Sequence, residues 1–111
     1  MNSVALTGTL IEDPELHEEG AEPVRCRMRL AVPRHARSGH REPGVVYVAV
    51  TTFGFEARGC AERLRRGDRI GVTGRIEQDR HRTPEGWRVD HSVLIDQLDL
   101  PPETTKDEEE Q

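Results

Sequence analysis

Aromatic side chains are scarce in this chain, with one Trp, one Tyr and two Phe among 111 residues. An aromatic core is therefore excluded, and a ring that lands on a surface needs a reason of its own. Long apolar runs are missing too: nothing approaches the roughly 20 residues that span a bilayer, and the start lacks the basic-then-apolar pattern of a secretory signal. A cytoplasmic protein without membrane association is expected. The only cysteines, Cys26 and Cys60, fit neither a C-x-x-C site nor a disulfide framework. They are expected as reduced packing residues, since a free thiol behaves as a small hydrophobe. The five histidines, His17, His35, His40, His81 and His91, show no H-x-H, H-E-x-x-H or Cys/His spacing, so neither a metal nor a cofactor is expected. A P-loop, a G-x-S-x-G elbow and a His/Asp/Ser trio that predicted strands would gather are absent as well. These absences favour a binder over an enzyme.

What is present fits one domain by size. Hydrophobic content of 33% and a mean hydropathy of -0.75 leave a lean core, as in a small sheet protein with long polar loops. The net charge of -5 is unevenly spread. Five acids lie in the last nine positions, whereas the interval from Arg25 to Arg88 holds fifteen arginines, no lysine and seven acids, a local charge of +8. A basic middle between acidic ends suits nucleic acid. It also describes solvated charges scattered on loops, and charge alone does not choose.

Periodicity supplies the elements. Val4, Leu6, Gly8 and Leu10 share a parity and predict a first strand over Met1 to Leu10, with Gly8 at a bend or bulge. Ile11 to Pro23 is a polar connection with the turn signals Asp13-Pro14 and Gly20, anchored only by Leu16. Val24 to Val32 alternates cleanly, with Val24, Cys26, Met28, Leu30 and Val32 on one face and Arg25, Arg27, Arg29 and Ala31 on the other. Pro33 to Gly44 is a long turn region carrying Arg34, Arg37 and Arg41. Val45 to Phe53 predicts a third strand. Ala57, Cys60, Ala61 and Leu64 then fall at helical spacing within Gly54 to Arg66, with Gly67 as the stop. Arg69 to Ile76 resumes alternation, turning Ile70, Val72, Gly74 and Ile76 inward and Arg69 and Arg75 outward. Glu77 to Gly86 is expected as a second polar connection and Trp87 to Ile95 as the last strand. Leu98 and Leu100 would close the core before a disordered acidic tail over residues 101 to 111. Five strands with a helix between the third and fourth make the plan of an all-β OB-fold barrel over residues 1 to 100.

The strand Val45 to Phe53 holds the sharpest candidates. Val46, Val48 and Val50 form a ridge fit for the core, while Tyr47 and Phe53 leave by the opposite face. Single-stranded nucleic acid is held by a positive groove with aromatic platforms under its bases, and Tyr47 and Phe53 are the candidate platforms. A parity slip would instead make them core residues. Arg25, Arg27 and Arg29 would track phosphates or simply solubilise an edge. Trp87 shares parity with Val89, Val93 and Ile95, so it either stacks on a base or caps the barrel. His91 falls among core-facing valines and is expected inside. His35 and His81 lie in loops beside arginines, where a ring would stack on a base or sit in solvent.

The opening M-N-S-V-A-L-T-G-T-L-I-E-D-P-E-L, the strand R-M-R-L-A-V, the run V-T-T-F-G and the segment A-E-R-L-R-R-G-D-R-I-G-V-T-G-R-I stand in the order and spacing of a known family. Across nearly all of residues 1 to 100 the chain resembles the bacterial single-stranded DNA-binding proteins. The resemblance implies sequence-independent binding of single-stranded DNA in replication, repair or recombination, at the nucleoid, by a homotetramer or a dimer. Tyr47 falls where members often carry a stacking Trp, and Phe53 where they carry a stacking Phe. The family's aromatic after strand 2 has no counterpart; that loop is shortened and offers His35 and arginines. A further family Trp is replaced by His81, and Trp87 is not its equivalent. Arg25, Arg27, Arg29, Arg34, Arg37 and Arg75 are the expected phosphate contacts, with His81 and Trp87 as further contacts. The tail D-E-E-E-Q lacks the family's Pro-Phe tip, so docking of replication and repair enzymes by that route is not expected. The alternative is an OB-fold interaction module with weak DNA affinity that forms homo- or mixed oligomers with a full-length relative. RNA is a third option, because stacking tolerates either sugar.

Overall fold

The computed structural model describes residues 1–18, 20, 23–34 and 44–100. Expectations for His35, Arg37, His40, Arg41 and the tail from 101 to 111 lie outside the described residues. Six strands and one helix follow in the order β1 (Val4–Leu10), β2 (Glu15–His17), β3 (Arg25–Pro33), β4 (Val45–Phe53), α1 (Gly54–Arg63), β5 (Arg69–Thr83) and β6 (Gly86–Asp99). They form one sheet in the order β1-β5-β6-β4-β3-β2, and an added β1–β3 pairing closes it. The OB-fold barrel is therefore present, with α1 between the long strands β4 and β5.

Alternation predicted the core well. Cys26, Met28 and Leu30 of β3, Val50 of β4, Ile70 and Val72 of β5, and Val93 and Ile95 of β6 are all buried. The helix contributes Ala57 and Cys60, and Leu64 follows at its end. Burying each large side chain, such as Leu10, Met28 or Leu30, contributes about 1.5–3 kcal/mol, so these few residues carry most of the fold. The helix stops at Arg63 rather than Arg66, because Leu64 already adopts an extended conformation while its N–H still bonds Cys60 O at 3.0 Å. Gly67, at φ 96°, then turns the chain so that its N–H donates to Leu10 O at 2.8 Å.

Further expectations need correction. The connection after β1 contains a short strand, because Leu16 packs against the core and pairs Glu15, Leu16 and His17 with Arg27, Cys26 and Arg25. Three residues are too few to show a period. Gly8 is not at a bulge: it pairs regularly with Ile70, and a Cβ there would meet Ala31 O at 2.7 Å, so it permits the close crossing of β1 and β3. The supposed loop from Glu77 to Gly86 is a hairpin arm, in which β5 and β6 stay in register out to Thr83 and Gly86 around Pro84-Glu85. The arm projects past the barrel, so neither of its faces is buried and apolar alternation disappears while backbone pairing continues.

The same projection explains another correction. His91 is exposed rather than interior, its Nε2 lying 3.2 Å from Gln78 Nε2, and Ile76 on the neighbouring pair is exposed too. At the far end of β4, Val46 leaves the ridge and is exposed while Val48 is only half-buried. Leu98 packs against the core, but Leu100 is exposed.

Where β5 and β6 bend from barrel to arm, the register shifts between Thr73 and Gly74: Thr73 faces Gln97 and Gly74 faces Ile95, leaving Asp96 as the extra residue. A bulge of this kind re-aims the strand. A Cβ on Gly74 would lie 2.0 Å from Leu94 O, which is backbone and has nowhere to go. Gly74→Ala should therefore cost about 1–3 kcal/mol or more, measured as a fall in the urea midpoint.

Burial, reinforced by Cys26 and Glu56, pushes the Cys60 thiol from 9.0 up to about 12 against the opposing pull of Arg63. A raised folded value means that this contribution to stability is complete below pH 9.0 and is lost as pH rises toward 12. Native protein should resist alkylation at mildly alkaline pH, and Cys60→Ala should show a shallower loss of stability above pH 9.0. Thiol titration and urea melts against pH measure both.

Candidate nucleic-acid interface

Pairing across β2, β3 and β4 builds a grid on the side facing away from the core. Its rows are His17–Arg25–Phe53, Glu15–Arg27–Thr51, Arg29–Ala49 and Ala31–Tyr47. Tyr47 and Phe53 are both exposed, at 58% and 41%, so neither is a misplaced core residue. Six residues of strand separate them by about 20 Å. Arg25 sits directly across from Phe53, placing a cation beside a ring.

Arg25, Arg27 and Arg29 form no ion pair or side-chain hydrogen bond among the described residues. Other arginines are committed. Arg58 meets Glu18 at 2.6 Å, Arg88 meets Asp90 at 3.2 Å, and Arg75 lies 3.9 Å from Glu77 and 3.7 Å from Asp96. Arg75 thus faces outward as expected, but with its charge largely answered. A groove of about 280 Å³ runs along the arginine row, with Glu12 and Glu15 as its acidic border and His17 beside them. Glu15 is held by His17 at 2.8 Å.

The remaining predicted residues lie apart. Arg34 is exposed just past β3, where its N–H donates to Gly44 O at 3.2 Å. His81 is on the arm, with Nε2 3.4 Å from Asp90 Oδ2. Trp87 is 60% exposed and caps nothing. Arg80 and Arg82 place their guanidinium carbons 4.9 and 5.5 Å from its ring centre, within the roughly 6 Å reach of a cation–π contact. Sequence reasoning missed those two arginines, because their shared side with Trp87 becomes visible only once the arm's register is known. It also missed Phe55, which is 95% exposed on the first turn of α1 beside a groove of about 350 Å³ lined by Leu64, Leu98 and Leu100. Being two positions after Phe53 and at the start of a helix was the available signal.

The site offers cations and rings. No cluster of three or more His, Cys, Asp or Glu residues able to hold a metal occurs among the described residues, and no described helix is long and apolar enough to cross a membrane.

The sequence profile of the Single-strand binding protein family matches residues 1–101. The chain belongs to this family. Among similar proteins, Single-stranded DNA-binding protein 1 of Clostridium acetobutylicum is 28% identical over 89 residues, covering 79% of this chain and 81% of that protein. Single-stranded DNA-binding protein B of Bacillus subtilis is 32% identical over 88 residues, covering 79% and 78%. Single-stranded DNA-binding protein 3 of Listeria innocua is 32% identical over 89 residues; these cover 80% of this chain but only 56% of the relative.

Proposed function

We propose that this protein binds single-stranded DNA without reading its sequence, stacking bases on Tyr47 and Phe53 and placing phosphates on Arg25, Arg27 and Arg29. The observation that carries this is the row of three arginines on alternate positions of β3, without an ion pair among the described residues, with Phe53 directly across and Tyr47 further along the same face. Exposed rings are costly to leave in water unless something covers them, and a base offers a π-face whatever its identity. Family membership supports the same ligand and makes an enzyme the wrong expectation. Roles in replication, repair or recombination at the nucleoid belong to this proposal, as does division of the chain into a DNA-binding domain over residues 1–100 and a short acidic tail.

Self-association also belongs to it. Along Val4 to Gly8, β1 pairs with β5 on one side, and its pairing with β3 begins only at Thr9. An unpaired stretch of strand edge is a template for a second copy. A homotetramer is expected at sedimentation equilibrium, and a monomer at all concentrations would remove this part of the proposal.

The test is titration of a labelled oligo-dT, followed by anisotropy, with a duplex control. Tyr47→Ala and Phe53→Ala should each weaken binding by about 1–3 kcal/mol while leaving the urea midpoint nearly unchanged, because both rings are solvent-facing. Affinity should fall with salt at a log-log slope of roughly -0.7 per neutralised phosphate. Three arginines each holding one phosphate would thus give about -2. Wild-type affinity in both variants, or a flat salt response, would refute the assignment.

A further inference from the structure

On the outward side of β2, Glu15 stands directly across from Arg27 and His17 directly across from Arg25. Opposite charges that face each other on neighbouring strands are close enough to pair. Arg27 nevertheless forms no ion pair among the described residues. The Glu15 carboxylate is taken up along its own strand instead, where His17 Nε2 lies 2.8 Å from Oε1. A carboxylate can only accept, so this nitrogen donates whether the ring is neutral or charged. Two positions apart on a strand, the pair shares the side that bears the arginine row.

The neighbouring acids have other ties. Glu18 holds Arg58 at 2.6 Å, and Asp13 Oδ1 accepts from the Arg66 N–H at 2.8 Å. Glu12 lines the groove but precedes β2 and its pairing with β3. Glu15 is therefore the carboxylate in register with the row, opposite its middle member. Turned toward Arg27, it would occupy the guanidinium on which the proposed phosphate sits, and the strand would have to displace it. We infer that His17 is a positioning residue for the nucleic-acid face, which keeps Arg27 open to a phosphate by holding Glu15 to one side. This rests on the single-stranded DNA reading above and adds to it a residue that acts through Glu15.

Mutant cycles read by the anisotropy of labelled oligo-dT on the full chain test this coupling. His17→Ala should weaken binding by about 1.5- to 5-fold, the worth of one cross-strand pair of opposite charges. His17→Gln, whose side-chain amide can donate to the same carboxylate, should bind like wild type. Glu15→Gln should bind at least as tightly as wild type, because no carboxylate then competes for Arg27. Adding His17→Ala to Glu15→Gln, or to Arg27→Ala, should change affinity no further. A β2 strand that unravels in His17→Ala would lose affinity in every background, so the cycle separates lost positioning from lost structure. An equal loss on adding His17→Ala to Glu15→Gln makes His17 a direct contact or a prop for β2 and overturns the inference. Wild-type affinity in His17→Ala alone overturns it as well, and both results leave Tyr47, Phe53 and the arginine row standing. A strand that fails to bind wild-type protein at low salt overturns this inference together with the reading on which it rests.

Discussion

Nine consecutive cross-strand pairs, from Arg25–Phe53 to Pro33–Val45, fix which side of the sheet meets water. Side chains alternate with a period of two, so a slip of one residue in β3 would bury three arginines and expose Cys26, Met28 and Leu30, and the same slip in β4 would bury Tyr47 and Phe53 and expose Val50. Unpaired cations in a dry core would cost several kcal/mol each, which makes the slipped register inaccessible. Register is thus held from the inside by apolar residues and from the outside by charges that cannot go in. The interface inherits its geometry from that constraint and needs no further element to position it.

The same pairing shows why the core can be so small. Among the described residues twelve buried hydrophobic side chains form it, and two of them, Cys26 and Cys60, are thiols whose burial disfavours ionisation. Backbone pairing around a closed barrel supplies much of the order that a larger apolar interior would otherwise provide, leaving many side chains free to face solvent. The arm carries this further. It has almost no apolar interior of its own and is joined to the barrel through the bulge at Gly74 and Asp96. A surface can therefore be extended without enlarging the core.

Legibility in the sequence followed burial. The strand from Val24 to Val32 could be read almost residue by residue, because one face is dry and the other charged, and the same contrast identified Tyr47 and Phe53 as outward rings. Where the contrast fades, so did the reading. β2 is too short for a period, and its one core residue, Leu16, looked like an isolated anchor. The arm is wet on both sides, so Glu77 to Gly86 resembled a loop, His91 was assigned to an interior that does not extend that far, and Arg80 and Arg82 could not be joined to Trp87. The parity of Trp87 with Val93 and Ile95 was right, yet its consequence was not, because parity states which side a residue faces and not whether the barrel still lies beneath it.

Charge placement follows from the same distinction. Arginines on β3 have no ion pair among the described residues where the sheet is backed by core, whereas on the face of the arm that continues theirs Arg75 and Arg88 are matched with Glu77, Asp90 and Asp96. The rings divide likewise: Tyr47 and Phe53 stand exposed on the barrel sheet, whereas Trp87 on the arm has the guanidiniums of Arg80 and Arg82 over its ring at 4.9 and 5.5 Å.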